Sequence, residues 1–107
     1  MLRLTNLPIP NHPGALITTQ ITYPEAVEMI KKTDTKHLTS HIGFPQVHAE
    51  VERAIGRPIK FEGRFLPTPV DGESFLTIRK KDATDSLRNC TWLLTRFEQE
   101  EVTTSKD

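Results

Sequence analysis

The sequence lacks most of the features that would place it quickly. A single cysteine, Cys90, in 107 residues leaves no internal disulfide and no thiolate metal cage, and it fits a reducing compartment. No aliphatic or aromatic run exceeds three residues, as in Trp92-Leu93-Leu94, whereas a helical bilayer span needs about 20. No basic segment followed by an apolar stretch opens the chain, so no secretory signal is expected. There is no Gly-rich phosphate loop and no nucleophile elbow. An excess of one charge is missing too: 14 basic residues face 14 acidic ones, so bulk coating of nucleic acid is not favoured. These absences argue against a disulfide miniprotein, a zinc finger and a membrane protein, and a cytoplasmic location is expected.

What is present suits one small domain. A chain of this length buries about two-thirds of its extended surface, enough for one core of sheet and helices. The charges are unevenly spread. Residues 57–81 carry six basic side chains against three acidic, and residues 82–107 carry three against six. A short basic zone suits a compact anion better than a long duplex.

Local patterns predict the element order. Leu2–Asn6 alternates as a strand, Leu7–Gly14 is a proline-rich loop, and Leu16–Thr22 is β-branched and strand-like. Thr22 followed by Glu25 is a capping box with Pro24 in the first turn, opening a helix to about Thr33 that buries Ala26, Val27 and Ile30. His37–Ile42 reads as a short extended segment. A second helix runs from Phe44 or Pro45 to Ile55 with Val47, Val51, Ala54 and Ile55 on one face, and Gly56 and Pro58 end it. Ile59–Leu66, Glu73–Arg79 and Cys90–Phe97 read as strands, with Pro67–Gly72 a turn-rich connection and Lys80–Asn89 a polar loop or one helical turn. The order is ββαβαβββ at most. The expected fold is α/β (α+β): a small mixed β-sheet of about five strands with two helices packed on it, a single domain over residues 1–98 and a flexible acidic tail over 99–107.

Candidate chemistry is sparse. The four histidines are His12, His37, His41 and His48, and none forms the i,i+4 pair with an intervening Glu that zinc catalysis uses, so neither metal nor cofactor is expected. His48 reads as a surface or packing residue in the second helix. The informative stretch is Thr39-Ser40-His41-Ile42-Gly43-Phe44, where an extended segment meets a glycine and a helix start. N–H groups there, with the helix dipole, favour an anion. Gly43 permits close approach by a phosphate. Phe44 serves either as a stacking surface for a base or as an anchor for the helix.

The segments NLPIPN, ITYPEAVEMIKK, LTSHIGFPQVHAEVERAIGRPI and SFLTIRKK together resemble the small viral anti-CRISPR ring nucleases of type III systems, from about Leu2 to Lys81. The family pattern Ser-x-Ile-Gly-His falls on Ser40-His41-Ile42-Gly43-Phe44. The resemblance implies a homodimer that binds cyclic tetra-adenylate across its cleft. In the family, metal-free cleavage proceeds by attack of a 2′-hydroxyl while the motif histidine protonates the leaving oxygen. Phe44 stands in that histidine's place and cannot transfer a proton, so the family's chemistry is expected to be lost. The binding equipment implied is Ser40, His41, Gly43, Phe44, Arg64, Thr77 and Lys81. The resemblance thus points to a viral immune-evasion protein that sequesters a cyclic oligonucleotide, either cyclic oligoadenylate or a related cyclic di- or trinucleotide. Two alternatives stand beside this sponge: a ring nuclease with His41 or His48 as a relocated acid, and a DNA-binding or scaffolding dimer.

Overall fold

In the computed structural model the described residues are 1–9, 15–70, 72–80, 82 and 86–98. The strands are β1 (Leu2–Thr5), β2 (Ala15–Ile21), β3 (Leu38–Ser40), β4 (Lys60–Phe61), β5 (Ser74–Arg79) and β6 (Thr91–Glu98), and the helices are α1 (Tyr23–Lys32) and α2 (Pro45–Ile55). The order ββαβαβββ therefore holds, with six strands among the described residues where about five were expected. They form one mixed sheet in the order β2-β6-β5-β1-β3-β4, in an α+β fold. The strand β1 lies parallel to β3 and β5, and β3 lies parallel to β4. The strand β6 is antiparallel to both β5 and β2.

The start of α1 and the end of α2 follow local chemistry. Thr22 accepts the Glu25 N–H while the Glu25 carboxylate accepts the Thr22 N–H, so the capping box is complete. The Glu25 carboxyl is held below the usual carboxylate range, mainly by that backbone N–H. Gly56 ends α2 at φ +77°, a left-handed conformation that a Cβ would strain. Arg57 then reaches back to α1, donating to the carbonyls of Ile30 (2.9 Å) and Thr33 and to the Thr35 hydroxyl (2.9 Å). A cation thereby closes the carboxyl end of α1, where the helix dipole is negative.

One sheet face meets the helices. Leu2, Leu4, Leu76, Ile78, Trp92 and Leu94 pack there against Ala26 and Ile30 of α1 and Val47, Val51 and Ile55 of α2. The opposite face carries Phe75 edge-on to Phe97, with centroids 5.1 Å apart, and the buried Thr5, Thr39, Thr77 and Thr95. Here β1 places a half-buried charge. Arg3 donates from Nε to Glu73 (2.6 Å) and from Nη1 to His41 Nε2 (2.9 Å). His41 Nδ1–H donates to the Gly63 carbonyl (2.6 Å), and Glu73 accepts the Val70 N–H (2.9 Å). Arg3 thus ties down both ends of the segment that runs from Glu62 to Glu73.

That tether explains one departure from expectation. The predicted strand Ile59–Leu66 pairs only over Lys60–Phe61, because Gly63 at φ +94° turns the chain and gives its carbonyl to His41. The expected acidic tail and His12 lie outside the described residues. No helix among the described residues is long and apolar enough to cross a membrane.

Candidate ligand-binding site

The parallel strands β1, β3 and β5 run their carboxyl ends to the same edge, the place where open sheets form ligand crevices. Asn6 follows β1, His41–Phe44 link β3 to α2, and Arg79 closes β5 with Lys80 next. Around them lies an open cavity of about 450 Å³ lined by Asn6, Phe44, Val47, Ile78, Arg79, Lys80 and Asp82. Its chemistry is mixed: a 57% exposed phenylalanine, two cations, an amide and a carboxylate. An aromatic surface beside guanidinium and ammonium groups suits a planar, anionic molecule.

The residues singled out in the sequence scatter more than their spacing suggested. Phe44 is the N-cap of α2 and offers no side-chain cap. It borders the cavity, and its exposure assigns it to the surface rather than to anchoring. Gly43 sits directly behind, but its N–H donates to Asn6 Oδ1 (2.8 Å) and so is already occupied. A Cβ there would lie 3.4 Å from the Arg64 Cβ, ordinary contact, so Gly43 marks close packing against the Arg64 side chain. Arg64 is exposed and places its guanidinium over the Phe65 ring at 5.1 Å.

Ser40 is fully buried. Its hydroxyl accepts the Ile42 N–H (3.3 Å) and bonds His48 Nδ1 (2.9 Å), whose Nε2 faces Glu52 at 3.3 Å. Glu52 also accepts the Ile59 N–H (2.8 Å), so this hydroxyl–imidazole–carboxylate chain fastens α2 to β3 and to the start of β4. This hydroxyl is already partnered inside the fold and lines neither the cavity at this edge nor the one on the opposite face. His41 lies on the other sheet face, with both ring nitrogens engaged by Arg3 and Gly63. Thr77 also faces away from the helices, in a second cavity that shares Arg79 with the first. Lys81 lies outside the described residues.

Arg79, Lys80 and Asn6 were missed as site residues. The basic zone of residues 57–81 contains Arg79 and Lys80, but the order of strands brings them, rather than Arg64, to the cavity wall. Asn6 had a weaker signal, as the polar residue that ends an alternating strand. Among the described residues no group of three or more His, Cys, Asp or Glu is placed to hold a metal.

This architecture has a structural counterpart. The chain is similar in fold to B116 of Sulfolobus turreted icosahedral virus (STIV). The two superpose with a TM-score of 0.65 at 12% identity, over 89% of this chain and 97% of the viral one. At that identity the likeness speaks for the fold: one sheet, two helices and their connections. No protein-family model matches the chain, and no curated protein does.

Proposed function

We propose that this protein binds and sequesters a cyclic oligonucleotide second messenger, acting as a sponge in viral evasion of a host's nucleotide-signalled defence. The observation that carries the reading is the cavity at the carboxyl edge of the sheet, where exposed Phe44 stands beside Arg79 and Lys80. A base stacks on the ring and a phosphate meets the cations. The fold's likeness to a viral protein and the resemblance of the Ser40–Phe44 motif support the same direction.

Capture without turnover is the form the residues favour. The described cavity wall holds no histidine, and both His41 and His48 have their ring nitrogens engaged elsewhere. A histidine acid, the commonest source of the about 10²–10⁴ in rate that proton transfer contributes, is therefore absent from the described wall. A ligand with internal two-fold symmetry pairs naturally with a homodimer, each protomer giving one cavity, in the cytoplasm of the infected cell.

The test is capture and release. The protein is incubated with a panel of cyclic di-, tri- and tetranucleotides including cyclic tetra-adenylate, desalted, heated, and the released ligand chromatographed. Intact ligand at about one per dimer is the expected result, with light scattering reporting the dimer. Linear products at multiple turnovers would replace the sponge with a ring nuclease, and an empty protein would overturn the reading.

A further inference from the structure

A second cavity lies on the opposite sheet face. Of about 190 Å³, it is lined among the described residues by Leu7, Pro8, Ile9, Thr18, Thr77, Arg79, Leu93 and Thr95. Two of its three threonines satisfy each other: the Thr18 and Thr95 hydroxyls lie 3.1 Å apart. The third does not. Thr77 is only 5% exposed, yet its hydroxyl has no hydrogen-bond partner among the described residues. An enclosed hydroxyl left unpaired is costly, and such groups nearly always have a partner. The register makes the partner's position specific, because Thr77 and Arg79 are two apart on β5 and share a face. Arg79 also borders the larger cavity that holds Phe44.

From this arrangement we infer that Thr77 reads a ribose hydroxyl of the bound nucleotide, so that the small cavity discriminates ribonucleotides from deoxyribonucleotides. The inference rests on the nucleotide reading above. Arg79 takes the phosphate at the boundary between the cavities, a base occupies the Phe44 side, and the sugar next to that phosphate enters the small cavity. There Leu7, Pro8, Ile9 and Leu93 meet its carbon face while Thr77 exchanges a hydrogen bond with its 2′-hydroxyl. The 2′-hydroxyl is the group by which a protein tells the two nucleic acids apart.

Calorimetric titration of the parent and of Thr77→Val, each with cyclic tetra-adenylate and with its all-2′-deoxy analogue, tests this. Valine keeps the shape and puts a methyl group in place of the hydroxyl. The parent should prefer the ribose form by about 3- to 10-fold, the usual worth of one hydrogen bond. Thr77→Val should lose that preference by weakening on the ribose ligand alone, and Thr77→Ser should retain it. Because the hydroxyl has no partner among the described residues, Thr77→Val should melt no lower than the parent. An equal loss on both ligands would place Thr77 against phosphate and overturn the ribose assignment. Unchanged binding by Thr77→Val would mean that water satisfies the hydroxyl, again overturning it while leaving the sponge intact. A parent that binds neither ligand removes both this inference and the reading beneath it.

Discussion

Replacing Phe44 with serine should leave folding nearly unchanged while weakening ligand capture. Phe44 is the N-cap of α2, with φ −108° and ψ 109°, followed by Pro45 at the first helical position and with no side-chain hydrogen bond to the helix. A serine there would accept a free N–H of the first turn, a gain of about 0.5–2 kcal/mol over a residue that cannot cap. The ring's apolar burial is forfeited in exchange. Phe44 is 57% exposed, so less than half of the roughly 1.5–3 kcal/mol for a fully buried side chain is at stake, about 1 kcal/mol. The two effects offset, and the melting temperature should stay within about 5 °C of the parent. Binding has no such offset. A base stacked on the ring contributes about 1–3 kcal/mol, so Phe44→Ser should weaken cyclic tetra-adenylate binding by roughly 5- to 150-fold. Differential scanning fluorimetry and calorimetric titration on the same preparations read the two quantities separately. Unchanged affinity would refute the stacking platform. A fall of more than about 10 °C would show instead that Phe44 is a packing anchor. A non-capping aromatic at an N-cap breaks a local rule of helix formation, and such breaks gather at functional sites.

Other perturbations probe other parts of the molecule. Arg79→Ala should weaken ligand binding and reduce the slope of log affinity against log salt by about 0.7–0.9, because one cation facing phosphate is removed; an unchanged slope in salt titrations would take Arg79 out of the site. Arg57→Ala should destabilise the fold by about 1.5–3 kcal/mol, since it strips a charged donor from the carboxyl end of α1; urea denaturation measures this, and Arg57→Lys should recover only part. The Glu25 carboxyl is lowered by its bond to the Thr22 N–H, so its contribution is present above the ordinary carboxylate range and is lost as pH falls through the lowered value. The melting-temperature gap between the parent and Glu25→Gln should therefore be widest near neutral pH and close in acid.

The helices show how far local signals reach. Thr22, Pro24 and Glu25 in sequence are a capping box in space, and Gly56 is a left-handed terminator, because each depends on residues within one turn. The apolar spacing of Val47, Val51 and Ile55 likewise marks a buried face without knowledge of what covers it. The motif from Ser40 to Phe44 was legible as a strand-to-helix junction. The fate of its side chains was not. Ser40 turns inward to His48, His41 turns to Arg3 on the far face, and Gly43 gives its N–H to Asn6. Each partner lies beyond the local window, so no periodicity announces it.

The sequence by itself determined the element order, the caps and the helix faces, since these follow from hydrophobic period and turn chemistry over a few residues. The tertiary structure decided the rest. Alternation along β1 separates Leu2 and Leu4 from Arg3, but only the tertiary fold makes Arg3 a half-buried charge held between His41 and Glu73 rather than a solvated one. Alternation along β5 separates Thr77 from Ile78, but only the neighbouring β1 and β6 and the loop after β1 enclose its hydroxyl. Strand register joins residues that lie far apart in the chain, as Leu2 joins Leu38 and Ser74. It is settled by which whole faces can be covered at once. That global condition sets Arg79 at the boundary of two cavities and leaves Arg64 outside both.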